Sequence, residues 1–220
     1  MRFDAIIFDF DGVLIESELV GNRQIARYLT GIGHPTTTEE SMANFMGLSG
    51  GDFIAAVERW IGRVLPDDFH AERKAEDERV MVEGIDAVAG AIGFVQSLSP
   101  DLPIAIASSS SCRWIRRHLD HIGLRHRFEP MIFSGREHVA HGKPAPDLYL
   151  YAAHALGVEI ARCVIIEDSP VGATGAVESG AHVIGFVGGS HCAPDHGDRL
   201  RALGVRDIAA TFDDVTDLLA

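Results

Sequence analysis

Short, wholly apolar runs recur along the chain with longer amphipathic stretches between them, and this alternation constrains the fold more than any other feature. The runs are Ala5–Phe8, Ile104–Ala107, Met131–Phe133, Cys163–Ile166 and Val183–Val187. Apolar runs of this length, bounded by polar or turn residues, read as buried strands. Between them lie Ala87–Leu98, "SCRWIRRHLDHIG" with Trp114, Ile115, Leu119 and Ile122 apolar, "APDLYLYAAHALG" ended by Gly157, and "VGATGAVESGA". Strand, helix, strand in repetition implies an α/β fold: a doubly wound parallel sheet with helices on both faces.

Nearly a hundred residues separate the first run from the second, too many for one crossover connection. Residues from Ser17 to Gly84 read as successive helices, "SELVGNRQIARYLTGIG", "TTEESMANFMG", "GGDFIAAVERWIGRVL" and "PDDFHAERKAEDERVMVEG", punctuated by glycine and proline. The expected organisation is therefore a core of residues 1–16 and 85–220 with an all-helical domain, 17–84, inserted after the first strand. "GGSHCAPDHGD" reads as a surface loop.

Composition limits the function. The formal net charge of −13 opposes binding to nucleic-acid phosphates. No apolar run approaches the roughly 20 residues needed to span a bilayer, and acids interrupt the apolar N-terminus, so a signal peptide is not expected. The expectation is a cytoplasmic protein with neither nucleic acid nor membrane as partner. Cys112, Cys163 and Cys192 form no CxxC pair and read as reduced thiols, Cys163 as a small core residue. His121, His126, His138 and His141 have no ligand spacing of the HExxH kind. The sequence is silent on oligomeric state.

In open parallel sheets, ligands bind beyond the carboxyl ends of the strands. Asp9 and Asp11 follow the first run; Ser108 follows the second; Lys143 stands in "GKPAPD" after the third; Glu167 and Asp168 end the fourth. Each has a plainer reading: a serine run or "EDSP" can cap a helix, and a lysine before proline can be a solvated loop residue. Together they put carboxylates, a hydroxyl and an ammonium at one sheet edge, an arrangement that is costly unless a cation sits among the acids. Oxygen ligands without histidine or cysteine favour magnesium, and magnesium with carboxylates suits phosphate chemistry. Asp9 would then attack phosphorus, Asp11 would move protons, and Ser108 and Lys143 would bind phosphate.

With these residues in order, the chain resembles the haloacid dehalogenase superfamily of phosphohydrolases. "FDFDGV", "IASSSS", "GKPAPD" and "IIEDSPVG" are similar to its four motifs, and helices placed after the first motif resemble the cap of its phosphatase and β-phosphoglucomutase branch. The resemblance implies Asp9 as nucleophile and Asp11 as acid and base. It implies Ser108 and Lys143 as phosphate ligands, and magnesium bound by Asp9, the main-chain carbonyl of Asp11 and Asp168, with Glu167 in or near the shell. An acid at position 11 separates phosphotransfer members from true dehalogenases. β-Phosphoglucomutase carries a cap histidine and a substrate-loop arginine where this chain has Gly21 and Gly50, although Lys74 falls near a cap lysine of that enzyme.

The expected function is a magnesium-dependent phosphatase for a small phosphorylated metabolite, a sugar phosphate or sugar-acid phosphate. The helical insertion would select the substrate, with Gly50 in "MGLSGGD", Arg73 and Lys74 as candidate contacts. The alternatives are a phosphosugar mutase, which passes the phosphoryl group to a second sugar hydroxyl, and a non-catalytic metabolite-binding protein, which the intact acids, Ser108 and Lys143 oppose.

Overall fold

The computed structural model describes residues 3–46, 48 and 50–220. The chain divides into two compact units, Met1–Glu16 with Asp86–Ala220, and Ser17–Ile85.

The first unit is an α/β core. Among the described residues, its strands β1 (Ala5–Phe8), β2 (Ile104–Ser108), β3 (Ile132–Ser134), β4 (Cys163–Glu167), β5 (His182–Phe186) and β6 (Asp207–Ala209) form one sheet in the order β3-β2-β1-β4-β5-β6. Every paired neighbour is parallel; Ile7 of β1, for example, lies opposite Ala105 on one side and Ile165 on the other. The order reverses at β1, which leaves a crevice between the carboxyl ends of the strands flanking it.

The burial pattern explains the unalternating apolar runs. β1, β2, β3 and β4 are buried at every position because helices cover both faces. On one face Ala5 and Ile7 pack with Ala105, Ala107, Leu148, Tyr149 and Ile165. On the other, Phe8 meets the rings of Phe94 and Phe128 at 6.1 and 5.6 Å, and Phe94 stacks on Phe212 at 5.0 Å.

The second unit contains the helices α1 (Ser17–Gly31), α2 (Thr38–Phe45), α3 (Gly50–Ile61) and α4 (Phe69–Glu83). Its core gathers Ile25, Leu29, Phe45, Ala56 and Val57, bordered by Tyr28, Phe53 and Trp60. A capping box starts α2: the Thr37 hydroxyl accepts from the Glu40 N–H, and the Glu40 carboxylate accepts from the Thr37 N–H. The core unit's helices are α5 (Ala91–Ser97), α6 (Cys112–His121), α7 (Arg125–Phe128), α8 (Asp147–Leu156), α9 (Pro170–Ser179), α10 (His196–Ala202) and α11 (Phe212–Leu219). Gly157, left-handed with φ 70°, ends α8.

Two features differ from the sequence expectation. β6 is an additional edge strand, too short and too polar at Asp207 to stand out by pattern. "GGSHCAPDHGD" is not a solvated loop throughout, because His191 and His196 are buried. No helix among the described residues is long and apolar enough to cross a membrane.

Candidate active site

The site is built at the carboxyl ends of β1, β2 and β4. The Asp9 N–H extends the ladder past β1 by donating to the Ile166 carbonyl at 2.9 Å, so the Asp9 side chain emerges beside the end of β4. Glu167 is the last residue of β4 and Asp168 follows it. All three acids are buried, and one oxygen from each lies within 4.8 Å of the others.

Lys143 comes from the segment between β3 and α8. Its ammonium donates to Asp9 Oδ1 and, at 2.8 Å, to Glu167 Oε2, and its side chain is only 3% exposed. Glu167 is held on both oxygens: Tyr149 Oη donates to Oε2 at 2.6 Å, and the Ser169 N–H and hydroxyl donate to Oε1 at 3.0 and 2.7 Å. Burial opposes ionisation of Glu167, but Lys143 and these donors outweigh it and leave the carboxyl below its usual range. Burial likewise opposes the Lys143 charge, and the carboxylates of Asp9 and Glu167 more than offset this, holding the ammonium well above its usual value. Asp9 is pushed the other way: burial, then the Glu167 charge, raise its carboxyl well above the carboxylate range despite Lys143.

This imbalance tests the fit of a cation. Lys143 reaches two of the three buried carboxylates and His191 lies against the third, and burial together with the remaining repulsion falls on Asp9. A hard divalent ion among these oxygens would return Asp9 to the ionised form, and magnesium suits an all-oxygen donor set. Asp9 and Asp168 would hold it, with Glu167 beside them.

Asp11 points elsewhere. Its Oδ2 accepts from the Ser110 hydroxyl at 2.6 Å and the Ser108 hydroxyl at 3.2 Å, and its Oδ1 accepts from Trp114 Nε1 at 3.2 Å. The turn that separates Asp9 from Asp11 and continues past them requires Gly12: its φ is +83°, and a Cβ there would lie 2.2 Å from Asp168 Oδ2.

The structure thus brings together Asp9, Asp11, Ser108, Lys143, Glu167 and Asp168. Gly50, Arg73 and Lys74 belong to the helical unit. Gly50 opens α3, while Gly47 and Ser49 of the "MGLSGGD" stretch lie outside the described residues. Arg73 stacks over the Phe53 ring at 5.3 Å, and the exposed Lys74 lies 4.0 Å from Glu78. Sequence reasoning missed Ser110, Trp114, Tyr149, His191 and His196. Only Ser110 had a signal, as part of the serine run; the others look like ordinary core or loop residues.

Residues 6–186 match the family model described as haloacid dehalogenase-like hydrolase. The chain belongs to this family, in its capped, phosphatase- and mutase-like branch. It is 32% identical to hexitol phosphatase A of Escherichia coli (strain K12) over 84% of this chain and 83% of that protein. It is 26% identical to 6-phosphogluconate phosphatase of the same organism over 88% and 86%. A HAD family hydrolase of Deinococcus radiodurans R1, crystallised with phosphate and sodium, is 30% identical and superposes with a TM-score of 0.89 over 100% of this chain and 96% of that one.

Proposed function

We propose that the protein is a magnesium-dependent phosphatase that hydrolyses a sugar phosphate or sugar-acid phosphate through an aspartyl-phosphate on Asp9. The observation that carries this reading is the convergence of Asp9, Lys143, Glu167 and Asp168, from three separated segments, on one buried cluster, with Ser108 bonded to Asp11 at the neighbouring strand end. Two relatives named for 6-phosphogluconate and hexitol phosphatase activity support the substrate class.

A carboxylate and a phosphate charge repel by about 4 kcal/mol per charge pair at roughly 4 Å and an effective dielectric of about 20. Bound magnesium supplies the positive charge that offsets this repulsion and aligns the groups. Lys143 adds a second positive charge, and Ser108 donates its hydroxyl to a phosphate oxygen. Asp9 forms a bond to phosphorus as the bond to the leaving oxygen breaks, and Asp11 protonates that oxygen. Asp11 then takes a proton from water, whose oxygen bonds to phosphorus as the Asp9–phosphorus bond breaks, releasing inorganic phosphate. Ser108 has one hydroxyl proton, now donated to Asp11; binding phosphate redirects it and leaves Asp11 held by Ser110 and Trp114. Substrate selection is assigned to the helical unit, where Arg73 and Lys74 carry charges that would suit a sugar-acid carboxylate.

The test is a screen of purified protein with magnesium against hexose, hexitol and sugar-acid phosphates, with nitrophenyl phosphate as the generic ester. At least one sugar-derived ester should exceed nitrophenyl phosphate about tenfold in kcat/KM, equivalent to about 1.4 kcal/mol, and Asp9→Asn should reduce phosphate release by several orders of magnitude while remaining folded. Near-normal turnover by Asp9→Asn would remove the covalent route. Isomerised sugar phosphate without inorganic phosphate would replace the phosphatase reading with a mutase.

A further inference from the structure

We infer that His191 is a positioning residue for the cation site: it fixes the carboxylate of Asp168 in the orientation that metal binding requires. The inference rests on the reading of Asp168 as a metal ligand. His191 lies in the loop between β5 and α10, outside the segments that carry the phosphate chemistry. Its Nε2 is 2.7 Å from Asp168 Oδ2, and both side chains are almost fully buried, 3% and 4% exposed. With its proton on Nε2, the ring donates to that oxygen. The ring position is itself constrained. A Cβ on Gly12 would lie 2.8 Å from His191 Cε1, and one on Gly189 only 2.5 Å away, so the imidazole packs closely against two glycines, at either of which a side chain would displace it.

The surroundings hold the same arrangement. His196, also buried, places Nε2 2.5 Å from the main-chain oxygen of Asp168, so the residue is gripped at both its backbone and its carboxylate. The loop is anchored next to His191, where the Ser190 N–H and hydroxyl donate to the Glu16 carboxylate. Magnesium demands near-ideal octahedral geometry and gives up water reluctantly, so a ligand free to rotate binds it poorly. A donor on one carboxylate oxygen fixes the plane in which the ligand presents itself, and loss of a partner of this kind typically costs about 10–100-fold in metal affinity or activity.

The experiment measures metal affinity directly on the full chain, by calorimetry with Mg2+ and electron paramagnetic resonance with Mn2+, for wild type, His191→Leu, His191→Gln, His191→Asn and Asp168→Asn. Folding of each variant is checked by circular dichroism. His191→Leu should weaken binding by about tenfold or more. Glutamine carries its amide nitrogen one bond further than asparagine, close to the place of Nε2, so His191→Gln should stay near wild type while His191→Asn should lose affinity as leucine does. Should His191→Leu fail to fold, the Gln–Asn comparison decides alone. Unchanged affinity in a folded His191→Leu, or equal affinity in the two amide variants, overturns the positioning role while leaving the cation site intact. Unchanged affinity in Asp168→Asn, or no binding by wild type, overturns the cation site, and the role of His191 with it.

Discussion

At the scale of single residues, the two acids of "FDFDG" are separated by their partners. Asp9 faces Lys143 and the buried acids, whereas Asp11 is held by three neutral donors. That division predicts different kinetics. Asp11→Asn should slow esters of poorly leaving sugar alcohols by about 10²–10⁴ and nitrophenyl phosphate far less, because a good leaving group needs no proton. Trp114→Phe keeps an aromatic ring against His118, 4.3 Å away between centroids, but removes the indole N–H. It should act in the same direction and more weakly, by up to about tenfold, or 1.4 kcal/mol. Equal losses on both kinds of ester would show that Trp114 does not act through Asp11.

At the scale of elements, capping and chemistry share residues. Ser111 caps α6 by accepting from the Trp114 N–H, while Ser108 and Ser110 of the same run reach Asp11. Ser169 caps α9 through the Gly172 N–H and donates to Glu167. The sequence offered cap and site as competing readings of both segments; the caps are present, and the same turns also place polar side chains beside the acids, because a strand-to-helix turn at a sheet edge brings helix N–H groups and strand-end side chains together. α6 also carries an anomaly of period. His118 occupies a fully buried position between Ile115 and Leu119, and neither ring nitrogen has a hydrogen-bond partner among the described residues. Burial depresses its pKa from 6.5 to about 4. The unfolded chain therefore binds a proton that the folded chain refuses between these values, and stability falls as pH drops from about 6.5 toward about 4, by up to about 3 kcal/mol. His118→Leu should remove this component, flattening urea-denaturation stability across the window; an unchanged pH slope would count against it.

At the scale of the whole molecule, the proposed cation site draws on Asp9 near the start of the chain and on Glu167 and Asp168 far along it, so only the folded chain assembles it. Metal binding should then stabilise the protein. Magnesium at about 100 times its Kd should add about 2.7 kcal/mol, seen as a rise in Tm of a few degrees that a chelator reverses. Calcium should substitute poorly in activity, because its longer bonds and looser geometry misplace the phosphate. A Tm indifferent to magnesium and chelator would contradict the site.

What the sequence determined by itself was the α/β class, the inserted helices and the acids, serine and lysine at the strand ends, because these follow from local pattern: unbroken apolar runs, helical periodicity and polar residues placed just after strands. Tertiary structure alone decided the strand order, since nothing local says that β4 crosses back to pair with β1. It alone recruited Tyr149 to Glu167, Trp114 to Asp11 and His191 to Asp168. These partners lie 18 and 103 residues apart along the chain for the first two pairs, and each looks like core or loop until packing brings it against a buried or half-buried carboxylate. A buried charge must find a donor, and which donor it finds depends on which elements the fold places beside it.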